Sequence, residues 1–64
     1  MVKPTRRQMQ VIQFLGEGLS NKEIAKKIGI GERTVKMHME MVVKRLGLRN
    51  RTQLLIKSVK MGWI

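Results

Sequence analysis

One stretch of the sequence, residues 32–46, combines cationic, acidic and apolar side chains at helical spacing. At helical pitch, residues 32–46 separate into two faces. The apolar face consists of Val35, Met39, Val42 and Leu46. The other face carries Arg33, Met37, Glu40 and Lys44, with Lys36 at its edge. Cations donate to guanine edges or phosphates, a carboxylate accepts from a cytosine amino group, and an apolar group can cover a thymine methyl.

Two residues on this face have alternative interpretations. Met37 is either a reader of thymine methyl groups or an exposed methionine without a function, which is normal for one surface apolar residue. Phosphate would repel Glu40, so this carboxylate either accepts from a cytosine amino group or pairs with Lys36 or Lys44. Arg33 and Lys36 can donate to guanine edges or to phosphates. We therefore predict base reading by Arg33, Lys36, Met37 and Glu40.

The sequence offers no convincing catalytic or metal-binding group. It contains no cysteine and one histidine, His38, which lies beside the apolar stripe and is interpreted as a packing or hydrogen-bonding residue. The glutamates lie on different helices or helix ends and form no evident acid/base pair. We expect a protein that is not an enzyme, with no catalytic residue, metal or cofactor.

The charge balance points to a polyanion as the partner. The chain has 64 residues and a net charge of +10, from 14 Lys and Arg against 4 acidic residues. Such an excess favours nucleic acid first and an anionic membrane surface second. With only Phe14 and Trp63 as aromatic residues, platforms for stacking single-stranded bases are missing. Double-stranded DNA is the expected partner, and without an apolar span or signal core the expected location is cytoplasmic, with no membrane contact.

Capping and glycine signals divide the chain into four short helices. Thr5 and Gln8 form a capping box ahead of an apolar set, Met9, Val11, Ile12 and Leu15, and Ser20 and Glu23 form a second capping box. Gly29 suits a left-handed helix end, and Gly47 closes the third helix. Asn50 caps the fourth, with Gln53 as its N3 partner.

The predicted fourth helix is apolar over more than half of its circumference. Leu54 and Met61 are expected to pack inward. A second stripe then needs another surface, for which a partner protomer is the simplest candidate. This stripe consists of Leu55, Ile56, Val59 and Trp63.

Residues 20–46 follow the order of a helix-turn-helix. Ala25 is small enough for the two helices to cross closely, Gly29 permits the sharp turn, and Val35 anchors the second helix. In this geometry the first helix braces across the DNA backbone, and the N-terminal half of the second enters the major groove.

Over residues 5–64 the sequence resembles the LuxR-type DNA-binding domain. The resemblance implies an all-α, four-helix domain over residues 1–64, with the third helix as the recognition helix. It also implies a homodimer formed through the fourth helix that binds paired half-sites. The matching landmarks are Thr5, Glu17-Gly18-Leu19-Ser20, Lys22-Glu23-Ile24-Ala25, Thr34-Val35-Lys36, His38, Leu46-Gly47 and Asn50-Arg51.

Some positions depart from this family pattern. Gln8 and Gln10 stand where glutamates are usual, and Gly31 replaces the common serine cap of the recognition helix. The glycine cap is expected to cost only a few tenths of a kcal/mol. Many members have a polar or basic residue at the position of Glu40.

Phosphate anchoring is expected from helix N-termini and from side chains around the recognition helix. The predicted phosphate-binding residues are Ser20, Lys22, Thr34, Lys44, Arg49 and Arg51.

These observations favour a transcriptional regulator that binds specific DNA sequences, encoded by a prokaryote or a phage. Met1 four residues before the first cap suggests a stand-alone protein, and a fragment of a larger regulator is the alternative. A second hypothesis is an interaction module that binds another transcription factor or RNA polymerase through the fourth helix. A third is a basic peptide that binds membranes or compacts DNA, against which the capping signals argue.

Overall fold

Four helices make up the part of the chain that the structure describes. A computed structural model describes residues 3–64, and no strand occurs among them. The helices are α1 (Arg6–Gly16), α2 (Asn21–Ile28), α3 (Glu32–Arg45) and α4 (Arg51–Met61). The expected all-α class and helix order are confirmed. None of these helices combines the length and the apolar character needed to cross a bilayer.

Side-chain caps fix where the helices begin. Thr5 Oγ1 accepts the Gln8 amide at 3.1 Å, and Gln8 Oε1 accepts the Thr5 amide at 3.0 Å. The same reciprocal pair joins Ser20 and Glu23, so both predicted capping boxes are confirmed. Asn50 caps α4 by accepting the Gln53 amide at 2.9 Å. This third cap is not reciprocal, because Gln53 Oε1 accepts the amide of Arg49 at 2.8 Å.

The apolar faces of the helices meet in one core. The face of α3 is as predicted: Val35, Met39 and Val42 are buried, and Leu46 is half-buried against them. Helices α1 and α3 each pack against all of the other three helices, and the most extensive packing is that of α3 on α2 and α1. The remaining buried apolar residues are Val11, Ile12, Leu15, Ile24, Ala25 and Leu54.

Three expectations about burial require correction. Met61 does not pack inward but is 46% exposed, and Met9 is only half-buried. Trp63 covers the end of the core in place of Met61, because Gly62 (φ 76°) reverses the chain and the Trp63 amide donates to Ser58 O at 2.9 Å. Ser58 is fully buried, and its hydroxyl donates to Leu54 O at 2.7 Å. Helix α4 therefore buries a narrower apolar stripe than its sequence predicts.

The connection between α2 and α3 has helix-turn-helix geometry. Gly29 takes a left-handed conformation with φ 82°, which a side chain would strain. The amides of Gly29 and Ile30 both donate to Ala25 O, at 2.8 and 3.1 Å. Ala25 itself is buried, as expected for a close helix crossing. This turn holds α3 with its apolar face on α1 and α2 and its opposite face in solvent.

Candidate nucleic-acid interface

The outer face of α3 brings the predicted base-reading residues together. Arg33, Lys36, Met37 and Glu40 line one open depression with Thr34. All four base-reading candidates are exposed, and Met37 has half of its surface in contact with solvent. The site is shallow because only one helix builds it, so it presents side chains outward to a large partner and does not enclose a small one.

A second depression adjoins the first and extends this face toward the starts of α2 and α4. Lys36 and Glu40 line both depressions. Two cations predicted to bind phosphate, Arg49 and Arg51, line the second together with Asn21. The fold thus places cations from outside α3 beside the predicted base-reading residues.

Arg51 also ties two helices together. Its Nη1 donates to Asn21 Oδ1 at 2.8 Å, and its Nη2 donates to Leu19 O at 3.4 Å. These bonds connect the first turn of α4 to the segment that begins α2. A guanidinium has five N–H donors, so further donors remain for an anion while the side chain is held in place.

The starts of α2 and α3 offer backbone donors. Lys22 is exposed in the first turn of α2, and the Ser20 hydroxyl oxygen accepts the Glu23 amide at 3.2 Å. At the start of α3, Gly31 provides no side-chain cap, and Thr34 is half-buried. First-turn amides of α3 therefore have no side-chain cap, and such groups suit phosphate oxygens.

Hydrogen bonds from Ser20 lower the pKa of Glu23 below its usual value of 4.5. The Ser20 backbone amide, which donates to Glu23 Oε1 at 2.9 Å, is the larger cause, and the Ser20 side chain is the second. The ionised carboxylate also lies favourably at the positive end of the α2 dipole. The capping box thus favours the ionised form of Glu23.

Lys44 and Glu40 differ from the other candidates in their contacts. Lys44 is exposed but lines neither depression, since it lies in the last turn of α3, about 12 Å along the axis from Lys36. Glu40 takes part in none of the side-chain hydrogen bonds formed within residues 3–64. Its carboxylate oxygens are accordingly open to an external donor.

The predicted interface stripe on α4 is exposed except at its end. Leu55, Ile56 and Val59 are 36%, 51% and 60% exposed. Trp63 is half-buried against the core, so it presents only part of its ring to a partner. Met61 lies in solvent near the same end and was missed as a surface residue. The sequence could not distinguish Met61 from Trp63, because the chain reversal at Gly62 decides which of them covers the core.

Met41 is a second exposed residue that the sequence prediction did not use. It lies one turn after Met37 on α3 and is 51% exposed. The spacing of four residues from Met37 was available in the sequence and places both side chains on neighbouring parts of the helix surface. His38 is half-buried on the same helix. Within residues 3–64, no three His, Cys, Asp or Glu residues lie together in an arrangement suited to a metal ion.

A helix-turn-helix that presents a cation-rich helix face to solvent defines a DNA-binding domain. Comparison with known proteins gives its family. The profile of the family described as "GerE: Bacterial regulatory proteins, luxR family" matches residues 5–58. The chain belongs to this LuxR family of bacterial regulatory proteins, as its resemblance to LuxR-type domains predicted.

Similar proteins are transcriptional regulators. The chain is 48% identical to the transcriptional regulatory protein LnrK of Bacillus subtilis (strain 168) over 58 residues, covering 91% of the chain and 26% of LnrK. It is 37% identical to DegU of Brevibacillus brevis over 60 residues, covering 94% of the chain and 25% of DegU. The chain thus spans about a quarter of the length of these relatives.

Solved structures agree with the family assignment. The transcription factor GerE superimposes with a TM-score of 0.85 at 29% identity, over 92% of this chain and 88% of GerE. The response regulator ChrA of a heme-sensing two-component system superimposes with a TM-score of 0.86 at 33% identity, over 100% of this chain and 32% of ChrA.

Proposed function

We propose that the domain recognises specific sequences in double-stranded DNA by inserting α3 into the major groove, and that it binds paired half-sites as a homodimer to regulate transcription. One observation carries this proposal. Arg33, Lys36, Met37 and Glu40 share one solvent-open face of α3, whose opposite face is buried in the core. This face combines donors, an acceptor and an apolar group, the three chemistries that distinguish base pairs in the major groove.

The two cations and the carboxylate have separate roles in this proposal. Arg33 and Lys36 donate to guanine edges or to phosphates beside them. Glu40 accepts from a cytosine amino group, since its carboxylate forms no hydrogen bond with a side chain of the protein within residues 3–64. Met37 covers a thymine methyl.

Residues around α3 fix its position on the DNA backbone. Arg49 and Arg51, at the start of α4, border the proposed reading face, which is the face of α3 that carries Arg33, Lys36, Met37 and Glu40. Ser20 and Lys22 lie at the start of α2. Thr34 and the uncapped first turn of α3 add donors for a further phosphate. Lys44 lies farther along α3 and contacts a phosphate where the helix leaves the groove.

The dimer forms through α4. Leu55, Ile56 and Val59 place an apolar stripe in solvent on the helix that contributes little else to the core, and Trp63 completes it with its exposed part. Covering this stripe with a second copy removes apolar surface from water. Two copies related by a two-fold axis would present two α3 helices to half-sites on the DNA.

This function needs no catalytic group, metal or cofactor. The partners are DNA and a second copy of the domain, and RNA polymerase or another regulator is a further candidate partner. The domain acts in the cytoplasm, in association with DNA and not with a membrane.

Selection of bound sites from a random duplex library tests the function. At about 150 mM salt, nonspecific attraction is weakened and base reading dominates enrichment. The expected result is a pair of half-sites about one helical turn apart. Lys36→Ala should lose this enrichment, whereas Lys60→Ala, which removes the same charge from α4, should retain it. No enriched site with the unaltered protein would overturn the proposal.

A second candidate function is supported by the same exposed stripe on α4. In this alternative, α4 binds another transcription factor or RNA polymerase and the protein does not form a homodimer. Sedimentation distinguishes the two: a monomer that still enriches a single half-site would favour the interaction module.

A further inference from the structure

Exposed large apolar side chains occur in two places within residues 3–64. One group lies on α4, which carries the proposed dimer surface, and at Ile64, whose side chain lies against Gly16. The other group is Met37 and Met41 on α3, at 50% and 51% exposure. The methionines of α3 therefore form a separate apolar patch, which the proposed dimer surface on α4 does not explain.

The two methionines are neighbours on the helix surface. Met41 follows Met37 by four residues, which places the side chains about 40° apart around the helix and about 6 Å apart along it. Both lie on the side of α3 that faces away from the buried stripe of Val35, Met39 and Val42. Met41 lines neither depression but extends the exposed apolar surface of α3 from Met37 toward the C-terminal end of the helix.

The charges around the pair favour DNA over a protein as the molecule that covers it. Arg33 lies one turn before Met37, and Lys44 and Arg45 lie one turn after Met41. Arg45 is held in place because its Nε donates to Lys3 O at 2.9 Å. An apolar pair between cations fits a polyanion that exposes apolar groups between its charges, and the thymine methyl groups in the major groove are such groups.

We propose that Met41 reads DNA sequence together with Met37, the pair contacting the methyl groups of two thymines about two base pairs apart. This inference rests on the proposed major-groove binding and adds a second reading residue and the base that it reads. The spacing follows from the axial separation of the side chains, about 6 Å, against a base-pair rise of about 3.4 Å. The flexible, polarisable methionine side chain adapts to such a contact.

Replacement of thymine by deoxyuridine tests the inference directly, since it removes only the 5-methyl group. In the selected site, each thymine is replaced in turn and the Kd is measured by fluorescence anisotropy. With the unaltered protein, two replacements about two base pairs apart in each half-site should each weaken binding on the order of fourfold, the effect of losing one buried methyl-sized group. The remaining replacements should have little effect.

Variants assign each methyl group to its methionine. Met37→Ala should remove the penalty at one thymine and keep it at the other, and Met41→Ala should do the reverse. Met41→Gln, which keeps the length of the side chain but makes it polar, should behave like Met41→Ala. Met61→Ala, an exposed methionine on α4, should keep both penalties. Circular dichroism melts confirm that each variant folds.

The outcomes separate this inference from the function on which it rests. If no site is selected at all, the proposed function fails and Met41 reading fails with it. If a site is selected but Met41→Ala keeps both methyl penalties, only the role of Met41 is overturned. A loss of self-association in Met41→Ala, with both penalties retained, would likewise overturn DNA reading by Met41 and assign it to a protein contact.

Discussion

At the scale of the residue, Glu40 places a negative charge among the cations on the outer face of α3. It lines both depressions beside Lys36, and its oxygens are open to a donor from outside the protein. A carboxylate at this place lowers affinity for phosphate but accepts well from a cytosine amino group. In the proposed complex, Glu40 therefore lowers the general affinity for DNA and raises the selectivity among base pairs.

Glu40→Ala should separate these two effects. We expect affinity for random duplexes to rise, because a negative charge near phosphate is removed, and discrimination at one C·G pair to fall by about 1–3 kcal/mol. Titration of the selected site and its single-base variants measures both. Glu32→Ala is the control, because it removes the same charge from α3 outside both depressions. Unchanged base preferences in Glu40→Ala would show that this residue reads nothing.

At the scale of the element, the turn between α2 and α3 and the N-cap of α3 fix where α3 begins and how it is oriented on the core. Gly29 has φ 82°, whereas Gly31, the N-cap of α3, has φ −73°, and a Cβ on Gly31 would make only an ordinary van der Waals contact with Thr34 Oγ1, at 3.8 Å. Gly29→Ala should destabilise the fold by about 1–2 kcal/mol, because an L side chain strains the left-handed conformation. Gly31→Ser should instead stabilise it by a few tenths of a kcal/mol, because serine caps better than glycine. Urea unfolding of both variants measures these changes in the free energy of unfolding. Equal changes in the two variants would show that the positive φ of Gly29 does not matter for stability.

The capping box of α2 should give stability an acid-side pH dependence. Because the pKa of Glu23 is lower in the folded protein than its usual value of 4.5, ionisation of Glu23 stabilises the fold at neutral pH. This contribution is lost as the pH falls through the lowered pKa. Glu23→Gln keeps a capping side chain that does not titrate, so its Tm should fall less than that of the unaltered protein below pH 4.5. Glu17→Gln, outside both capping boxes, is the control, and its Tm should fall in acid as much as that of the unaltered protein. If the Tm of Glu17→Gln fell only as much as that of Glu23→Gln, the capping box would not be the origin of the pH dependence.

At the scale of the whole molecule, one small core leaves two surfaces for partners. Helix α3 presents the reading face and α4 presents the apolar stripe, and both helices use their other sides to hold the core. In the proposed dimer, binding of paired half-sites would depend on both surfaces at once, because each protomer would read one half-site.

Val59→Asp should break the dimer and leave the reading face intact. Val59 is 60% exposed, so the monomer should fold, but a carboxylate in the dimer surface would be desolvated without a partner. We expect affinity for paired half-sites to fall at least on the order of tenfold, toward that for a single half-site, with a monomer in sedimentation. Gln13→Asp, an exposed change on α1, is the control for added negative charge. A monomeric Val59→Asp with undiminished affinity for paired half-sites would contradict dimeric binding.

Several features were predictable from the sequence because they depend on near neighbours along the chain. Both capping boxes join residues three apart, Gly29 marks a turn by its own conformational freedom, and the stripe of Val35, Met39 and Val42 follows from helical pitch. The gathering of Arg33, Lys36, Met37 and Glu40 on one face follows from the same pitch.

Tertiary structure alone decided features that join residues far apart in the chain. The bonds from Arg51 to Asn21 and Leu19 span about thirty residues and require α2 and α4 to meet first. The burial of Trp63 in place of Met61 depends on where the reversal at Gly62 meets the core. Sequence periodicity predicts which side chains share a helix face, whereas the packing of the helices decides which face is buried in the core. The sequence by itself therefore determined where the helices lie and which side chains the outer face of α3 carries. The tertiary structure decided which residues from other helices border that face and which apolar side chains stay exposed for a partner.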